Sequence, residues 1–429
     1  MTPETSIYLH IPFCKHRCAY CDFNTYADQE AMIPAYVNAL IKEIEWMGNH
    51  PNRPSDHSTI KTIFFGGGTP SLLSGPQFAS VMSALSSAFA LSADAEVTIE
   101  ANPGTISPAK LDQIRRAGIN RISFGVQSSI PEELRMLERE HDFFTVLEAV
   151  STARKAGFDN LNLDLIYGLP EQTLESWQTT VKRVVDLHPE HISAYALTLE
   201  HGTPFGKWAE RGLLPLPDPD LAADMYEWTM EFPEGNGYEQ YEISNWARTV
   251  KGQKSKVKDD LRPSTFDSFP EFACKHNLQY WRSLPYLGFG AGAHGYSNGC
   301  RYSNVLRIKT YIDRITNYPI TNLPFPLSPA AVNHHKQTQK DDISDYMINN
   351  LRLIKAGVAD SDFRSRFGSG LLDVFPKEME ELLQAGLLEK KTSEASLWRH
   401  DGIFEASEVY RLTRRGRLLG NRAFLKFIG

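Results

Sequence analysis

Short runs rich in β-branched and aromatic residues alternate with longer stretches of helical periodicity through the first half of the chain. Ser6 to Ile11, Thr59 to Phe65, Ala95 to Ala101, Arg121 to Val126, Asn160 to Ile166 and His191 to Leu197 predict six strands. Pro34 to Trp46, Pro76 to Phe89, Pro108 to Ala117, Phe143 to Ala156 and Leu174 to Leu187 predict the helices between them. Several helices open on proline, whose missing N–H costs nothing in the first turn, and Ala117-Gly118 and Ala156-Gly157 close two of them. Strands and helices alternating at this spacing build parallel βαβ units with right-handed crossovers.

The polar residues decide how those units close. The cysteines follow the first strand and Gly66-Gly67-Gly68-Thr69-Pro70 follows the second, while Glu100 ends the third, Gln127 ends the fourth and Asp164 lies in the fifth. Chemistry ringed around the carboxyl ends of successive strands is the layout of a β/α barrel, whereas a doubly wound sheet gathers it at one switch point. We therefore expect an α/β chain with a partial barrel of six units.

Beyond Leu199 the texture changes, and Leu214-Pro215-Leu216-Pro217-Asp218-Pro219 breaks the alternation. The stretch 249–268 is polar, carries Lys251, Lys254, Lys256 and Lys258 without apolar periodicity, and reads as a surface insertion. From Asp341 the pattern turns helical and ends in a hairpin and a last helical run from Leu412 to Phe427. The expected organisation is a barrel over 1–205, an extension over 206–330 and a small helical, winged-helix-like domain over 331–429, with no internal repeat.

With 41% hydrophobic and 11% aromatic residues in 429, the chain folds around a sizeable core. Its 45 basic and 52 acidic residues give a net charge of -7, so no broad positive field for a phosphate backbone exists and nucleic acid is not an expected partner. No stretch is apolar enough to span a bilayer and Met1 to His10 lacks a secretory or transit pattern. The expectation is a cytoplasmic protein with at most peripheral membrane contact.

Of five cysteines, Cys14, Cys18 and Cys21 crowd into one loop, too uneven a distribution for a disulfide framework. A structural zinc would need a fourth ligand, for which His10 or His16 is available, but paired Cys-x-x-Cys knuckles are absent. Three thiolates on an iron-sulfur cluster leave one iron open to an exogenous ligand. The charged neighbours Lys15, His16, Arg17 and Asp22 argue against a merely buried trio. Cys274 and Cys300 have no partner at ligand spacing and read as ordinary cysteines.

This cysteine spacing, followed by Gly66-Gly67-Gly68-Thr69-Pro70, resembles the radical S-adenosylmethionine superfamily, in which the methionyl part of the cofactor chelates the open iron of a 4Fe-4S cluster. Leu137-Glu138-Arg139-Glu140-His141, Asp164-Leu165-Ile166-Tyr167-Gly168-Leu169-Pro170 and His276-Asn277-Leu278-Gln279-Tyr280-Trp281 narrow the resemblance to the oxygen-independent coproporphyrinogen III oxidase-like branch and its HemW-type heme chaperones. The resemblance covers nearly the whole chain and implies a partial barrel with a small C-terminal helical domain.

By that resemblance Cys14, Cys18 and Cys21 ligate the cluster. Tyr8, Tyr20, Gly67, Gly68, Thr69, Glu100, Gln127, Arg139 and Asp164 contact S-adenosylmethionine, guanidinium suiting its carboxylate and carboxylates its ribose hydroxyls. Read alone, Arg139 could equally pair with Glu138 or Glu140 on a helix surface, whereas Asp164 between two leucines needs a partner. The resemblance makes His276 a heme ligand, with Tyr280 and Trp281 as flat contact area. Read alone, these are core aromatics and a hydrogen-bonded histidine. The run Gly288 to Gly295 would let backbone approach a ligand, and its His294 is a second ligand candidate.

Two functions follow from the resemblance. One is a heme chaperone that passes heme to an acceptor protein. The other is an oxygen-independent coproporphyrinogen III oxidase, which takes a porphyrinogen; either would use an electron donor such as flavodoxin or ferredoxin. The oxidases carry a further cysteine two residues after the third and a longer arm ahead of the cluster, and here Phe23 and a first cysteine at position 14 favour the chaperone. One departure is the longer stretch between Ala247 and His276 than relatives have, either a lid or a lineage-specific bulge.

Overall fold

A computed structural model of the chain describes residues 4–53, 59–249, 269–317, 323–392, 397–398, 404–405 and 408–428. Apart from Thr249, the expected insertion at 249–268 lies outside these residues. Contacts divide the chain into two compact units, one of 1–236, 274–276 and 284–336, the other of 237–273, 277–283 and 337–429. The units interleave along the chain, whereas its texture suggests a linear three-part division.

The first unit is the expected partial barrel. Strands β1 (Thr5–Ile11), β2 (Ile60–Gly67), β3 (Leu91–Ala101), β4 (Arg121–Gln127), β5 (Leu161–Tyr167) and β6 (His191–Ala196) pair in parallel and in chain order. Helices α1 (Ile33–Gly48), α2 (Gly75–Ala88), α3 (Pro108–Arg116), α4 (Phe143–Lys155) and α5 (Leu174–Val185) connect them. Their starts are encoded locally: Ser74, Ser107, Asp142 and Thr173 each accept a hydrogen bond from a backbone N–H of the first turn. Gly118 and Gly157, with φ of +99° and +84°, follow the closing turns of α3 and α4 as expected.

Side-chain parity organises the six strands. One row, with Ile7, Leu9, Ile63, Phe65, Ile99 and Leu163 among its members, is apolar and fully buried. Each such side chain contributes about 1.5–3 kcal/mol relative to exposure. The other row is polar. Ser6 pairs in register with Thr62, Thr62 with Glu96, Thr98 with Arg121, Ser123 with Asn162, and Asn162 with His191. These buried groups bond to one another: the Thr62 hydroxyl donates to Ser6 Oγ at 2.7 Å, Asn162 Nδ2 to Ser123 Oγ at 2.7 Å, and Ser193 to Asn162 Oδ1 at 3.1 Å. The barrel interior thus carries polar layers that bond largely to one another, with the Thr98 hydroxyl left over.

On the far edge of β1 the chain returns late. Strand β7 (Tyr286–Phe289) pairs in parallel with β1, and β8 (His294–Ser297), β9 (Cys300–Asn304) and β10 (Ala331–Lys336) continue antiparallel from it. The sequence pattern does not announce these strands, because β7 and its turn read as a glycine-rich loop. Glu43 of α1 fastens this addition. Its buried carboxylate accepts from Gly290 N and Asn304 Nδ2 at 2.9 Å and from the hydroxyls of Tyr311 and Ser328 at 2.6 Å. Burial raises the Glu43 carboxyl pKa, and the four donors pull it back.

The second unit holds helices Gln339–Asn350, Asp360–Phe367, Leu371–Val374 and Pro376–Gln384, then an antiparallel hairpin in which Leu388 pairs with Leu412 and Thr392 with Glu408. Met347, Leu351, Phe363, Met379 and Leu412 lie in its core. This is the small, mostly helical C-terminal domain expected from the sequence.

Replacing Glu43 by alanine leaves four buried donors without their acceptor. The expected loss is about 3–5 kcal/mol in urea unfolding, with Glu43→Gln costing clearly less. Equal, small losses for both would show that the carboxylate is not what holds the added strands.

Candidate functional site

The three clustered cysteines occupy a loop that opens where β1 ends. Phe13–Cys14 and Tyr26–Ala27 form a short parallel ladder that closes it. The buried Cys14 thiol receives the Thr69 hydroxyl at 3.6 Å. Cys18 Sγ lies 3.7 Å from Arg139 Nη1 and 3.9 Å from the Glu138 carbonyl, and Cys21 Sγ lies 3.9 Å from Thr25 Oγ1. Burial, and then the charges of Cys21 and Cys18, push the Cys14 thiol up to about 11 against the Thr69 hydrogen bond, and burial raises Cys21 too.

All three are free thiols. Among the described residues, no three His, Cys, Asp or Glu side chains converge on a single ion position. Three sulfurs in one loop, with Cys14 and Cys21 resisting ionisation where they stand, gain most from a multiply charged centre that takes them as thiolates, and the donor set suits an iron-sulfur cluster.

The glycine run after β2 is pressed onto this loop. Gly68 N donates to Ile11 O at 2.9 Å and Thr69 N to Phe13 O at 2.7 Å, continuing the strand ladder into the cysteine loop. A Cβ on Gly68 would stand 2.6 Å from Phe13 O and 3.0 Å from Cys14 Sγ; one on Gly67, whose φ is +113°, would strike the His10 ring. Gly67 N donates to Glu100 Oε2 at 3.0 Å. Gly68 therefore serves the close approach of two backbones, and Gly67 makes room for the His10 ring.

Burial, and then the nearby Asp164 charge, push the Glu100 carboxyl up to about 8, against the Gly67 amide. Asp164 is held from both sides, by the Ser123 hydroxyl at 2.6 Å and Asn162 Nδ2 at 2.8 Å. This is the partner its apolar flanks demand. Arg139 turns inward behind Glu138, whose φ is +54°. Its Nη2 donates to Gly125 O at 2.8 Å and to Asn102 Oδ1, so a surface pair with Glu138 or Glu140 is not its role. Glu138 instead meets His16 at 3.0 Å. The Arg139 charge also bears on Tyr20, whose hydroxyl is pushed up by burial. Gln127, at φ +68°, ends β4 beside Gly125, where a Cβ would approach its Nε2 and Arg139. Tyr8 lies in β1, its hydroxyl 3.0 Å from His10 Nδ1.

The supporting residues Ser123, Asn162, Asn102, Thr25 and His10 escape a reading of the sequence as isolated letters. Strand parity, which puts Ser123 and Asn162 on the interior row with Asp164, is the signal that could find two of them.

His276 is only 1% exposed. Its Nδ1 lies 2.6 Å from Thr62 Oγ1, and its ring stacks on Phe64 with centroids 4.9 Å apart. Burial, and then the Arg121 charge, push it down to about 3, so it is neutral. Glu96 accepts from Lys275 N at 3.2 Å and His276 N at 3.1 Å at the start of helix Lys275–Trp281. Cys274 Sγ donates to the same carboxylate. Tyr280 and Trp281 are partly exposed, and in the second unit the Arg352 guanidinium lies 4.3 Å over the Trp281 ring.

The glycines from Gly288 onward pack against protein, which corrects their expected role of admitting a ligand. A Cβ at Gly290 would stand 2.5 Å from His10 O, and one at Gly292 would collide with Asn24. His294 is exposed on β8 and Cys300 is half-buried.

The profile of the Radical SAM superfamily matches residues 8–184. The heme chaperone HemW of Bacillus subtilis is 37% identical over 425 residues, 99% of this chain and 99% of that one. The heme chaperone HemW of Escherichia coli is 38% identical over 294 residues, 68% of this chain and 70% of that one. Among solved structures, coproporphyrinogen III oxidase (HemN) of Escherichia coli, described as a radical SAM enzyme, aligns with a TM-score of 0.76 and 26% identity, covering 99% of this chain and 90% of that one.

An acid whose folded pKa lies above its ordinary value stabilises the fold fully at low pH and loses that contribution as pH climbs through the folded value. For Glu100 the window runs from about 4.5 to about 8. The melting temperature of the metal-free protein should fall across this window more steeply in wild type than in Glu100→Gln, which keeps the acceptor for Gly67. Parallel curves would refute a raised Glu100.

Proposed function

We propose that this chain, which belongs to the HemW family of the radical SAM superfamily, binds heme and passes it to an acceptor protein, while its barrel holds a 4Fe-4S cluster and S-adenosylmethionine. The observation that carries the reading is end-to-end likeness to a heme chaperone, 99% of both chains, joined to a complete cysteine and glycine site. Among the described residues no helix is long and apolar enough to cross a membrane.

In this reading Cys14, Cys18 and Cys21 ligate the cluster, which when bound supplies an iron with an open coordination position. Because Gly67, Gly68 and Thr69 commit their amides to Glu100, Ile11 and Phe13, the loop offers carbonyl oxygens to the cofactor's ammonium group. Arg139 takes the cofactor carboxylate. Glu100 and Asp164, with Gln127 beside them, serve its polar groups, and Tyr8 and Tyr20 supply apolar area.

His276 would be the heme ligand, with Tyr280 and Trp281 as porphyrin contacts. One feature of its chemistry supports this: burial keeps the ring neutral, the form in which an imidazole ligates a metal. Its burial adds a condition. An iron reaches this ring only when the ring leaves its seat on Phe64 and Thr62. An electron donor of the flavodoxin or ferredoxin class completes the proposal.

The structural likeness to HemN keeps coproporphyrinogen III oxidase as a second reading. Against it stands Phe23, two residues after Cys21, where the oxidases carry a further cysteine.

Anaerobic heme titration of the reconstituted protein should saturate near one heme per chain, and His276→Ala should weaken binding about tenfold, or ~1.4 kcal/mol. Absence of saturable binding would shift the assignment to the oxidase, which coproporphyrinogen turnover would then report. Separately, Cys14→Ala should lose most reconstituted iron and its charge-transfer absorbance; full iron content in this variant would remove the cluster assignment.

A further inference from the structure

We propose that His276 is a positioning residue of the S-adenosylmethionine pocket, its imidazole forming the floor of a three-ring stack that sets Tyr8 at the barrel mouth. The inference rests on the reading that the cofactor lies against Tyr8, and it goes beyond any role of His276 toward heme.

The stack is built by strand register. Tyr8 of β1 stands opposite Phe64 of β2, and one layer below Ser6 stands opposite Thr62. Ring centroids are 6.3 Å apart for Tyr8 and Phe64, 4.9 Å for Phe64 and His276, and 6.4 Å for Tyr8 and His276, with interplanar angles of 23°, 22° and 30°. Three nearly parallel rings therefore share one site. From above, Gly66 closes on them: a Cβ there would stand 2.9 Å from the Phe64 ring and 3.0 Å from that of Tyr8. At its outer end Tyr8 is fixed by the bond from its hydroxyl to His10 Nδ1 at 3.0 Å.

From below, His276 presents a flat ring face to this stack. Ser6 and Thr62 in that layer are small and polar, and Thr98, in register with Phe64, presents a buried hydroxyl without a partner. His276 is pinned from two directions. Glu96 holds its backbone N–H, and the Thr62 hydroxyl meets Nδ1 at 2.6 Å. Since that hydroxyl donates onward to Ser6, the histidine is the donor. Taking the ring away leaves a void under Phe64 and Tyr8, and side chains over a void gain rotamer freedom that a ligand must then restrict at the expense of affinity.

The test is the binding of S-adenosylmethionine itself, by equilibrium dialysis on cluster-reconstituted protein without heme, with the electron paramagnetic resonance spectrum of the reduced cluster as a second readout. His276→Ala should weaken binding about tenfold and require correspondingly more cofactor to shift the cluster spectrum. His276→Phe, which keeps the ring and discards the imidazole nitrogens, should stay within about threefold of wild type. A folded His276→Ala with wild-type affinity overturns the proposal, as does a His276→Phe as weak as the alanine variant. Should the alanine variant not fold, Thr62→Val, which removes the hydroxyl shared by the ring and Ser6, decides beside Ser6→Ala, which releases only the Ser6 end: binding weakened in Thr62→Val but not in Ser6→Ala supports the floor, and any other pattern overturns it. Failure of the wild-type protein to bind S-adenosylmethionine would refute instead the reading on which this inference rests.

Discussion

Everything at this site depends on the two-residue period of a β-strand. Successive side chains of the six parallel strands point to opposite faces, so each strand is written twice, once in apolar and once in polar residues. A slip of one residue would drive Ser6, Tyr8 and His10 into the apolar row and empty the interior of function. Most of the polar row tolerates burial because its members bond to one another, Asn162 alone linking Ser123, Asp164, His191 and Ser193. Ser123 and Asn162 together fix Asp164 at the mouth, and the Gly67 amide holds Glu100 beside it.

The cysteine loop obeys a second constraint, the cost of gathering ionisable groups away from water. Burial resists ionisation of the Cys14 thiol and the Glu100 carboxyl, and neighbouring charges add to it at each. Arg139 offsets part of it by facing Cys18 and Tyr20. The site is assembled against its own electrostatics by the ladder that joins Gly68 and Thr69 to Ile11 and Phe13.

Much of this is legible in the sequence, for physical reasons. The six strands and five helices announce themselves because caps, prolines and terminal glycines act locally, as at Ser74 and Gly118. The cysteine and glycine motifs are legible because their neighbours are close in sequence or lie at equivalent strand ends. What sequence hides is direction. Arg139 sits among acidic neighbours yet turns inward, a consequence of the left-handed residue before it. The run from Gly288 reads as a ligand loop, yet its glycines exist to let β7 and its turn lie against His10 and Asn24. His276 reads as an accessible ligand because nothing local reveals that Thr62, far away in the chain, holds its ring.

The late pairing of β7 with β1 bears on synthesis at the ribosome. Strand β1 emerges first, and the residues that cover its far edge follow only from Tyr286 onward, with the Glu43 clasp complete at Ser328. At about 5–20 residues per second, that edge stays open on the order of half a minute in every nascent chain. An uncovered, apolar-faced strand is a template for wrong partners. The polar alternation of Ser6, Tyr8 and His10 then serves the newborn chain as well as the finished one, by making its first strand a poor match for the hydrophobic edges around it.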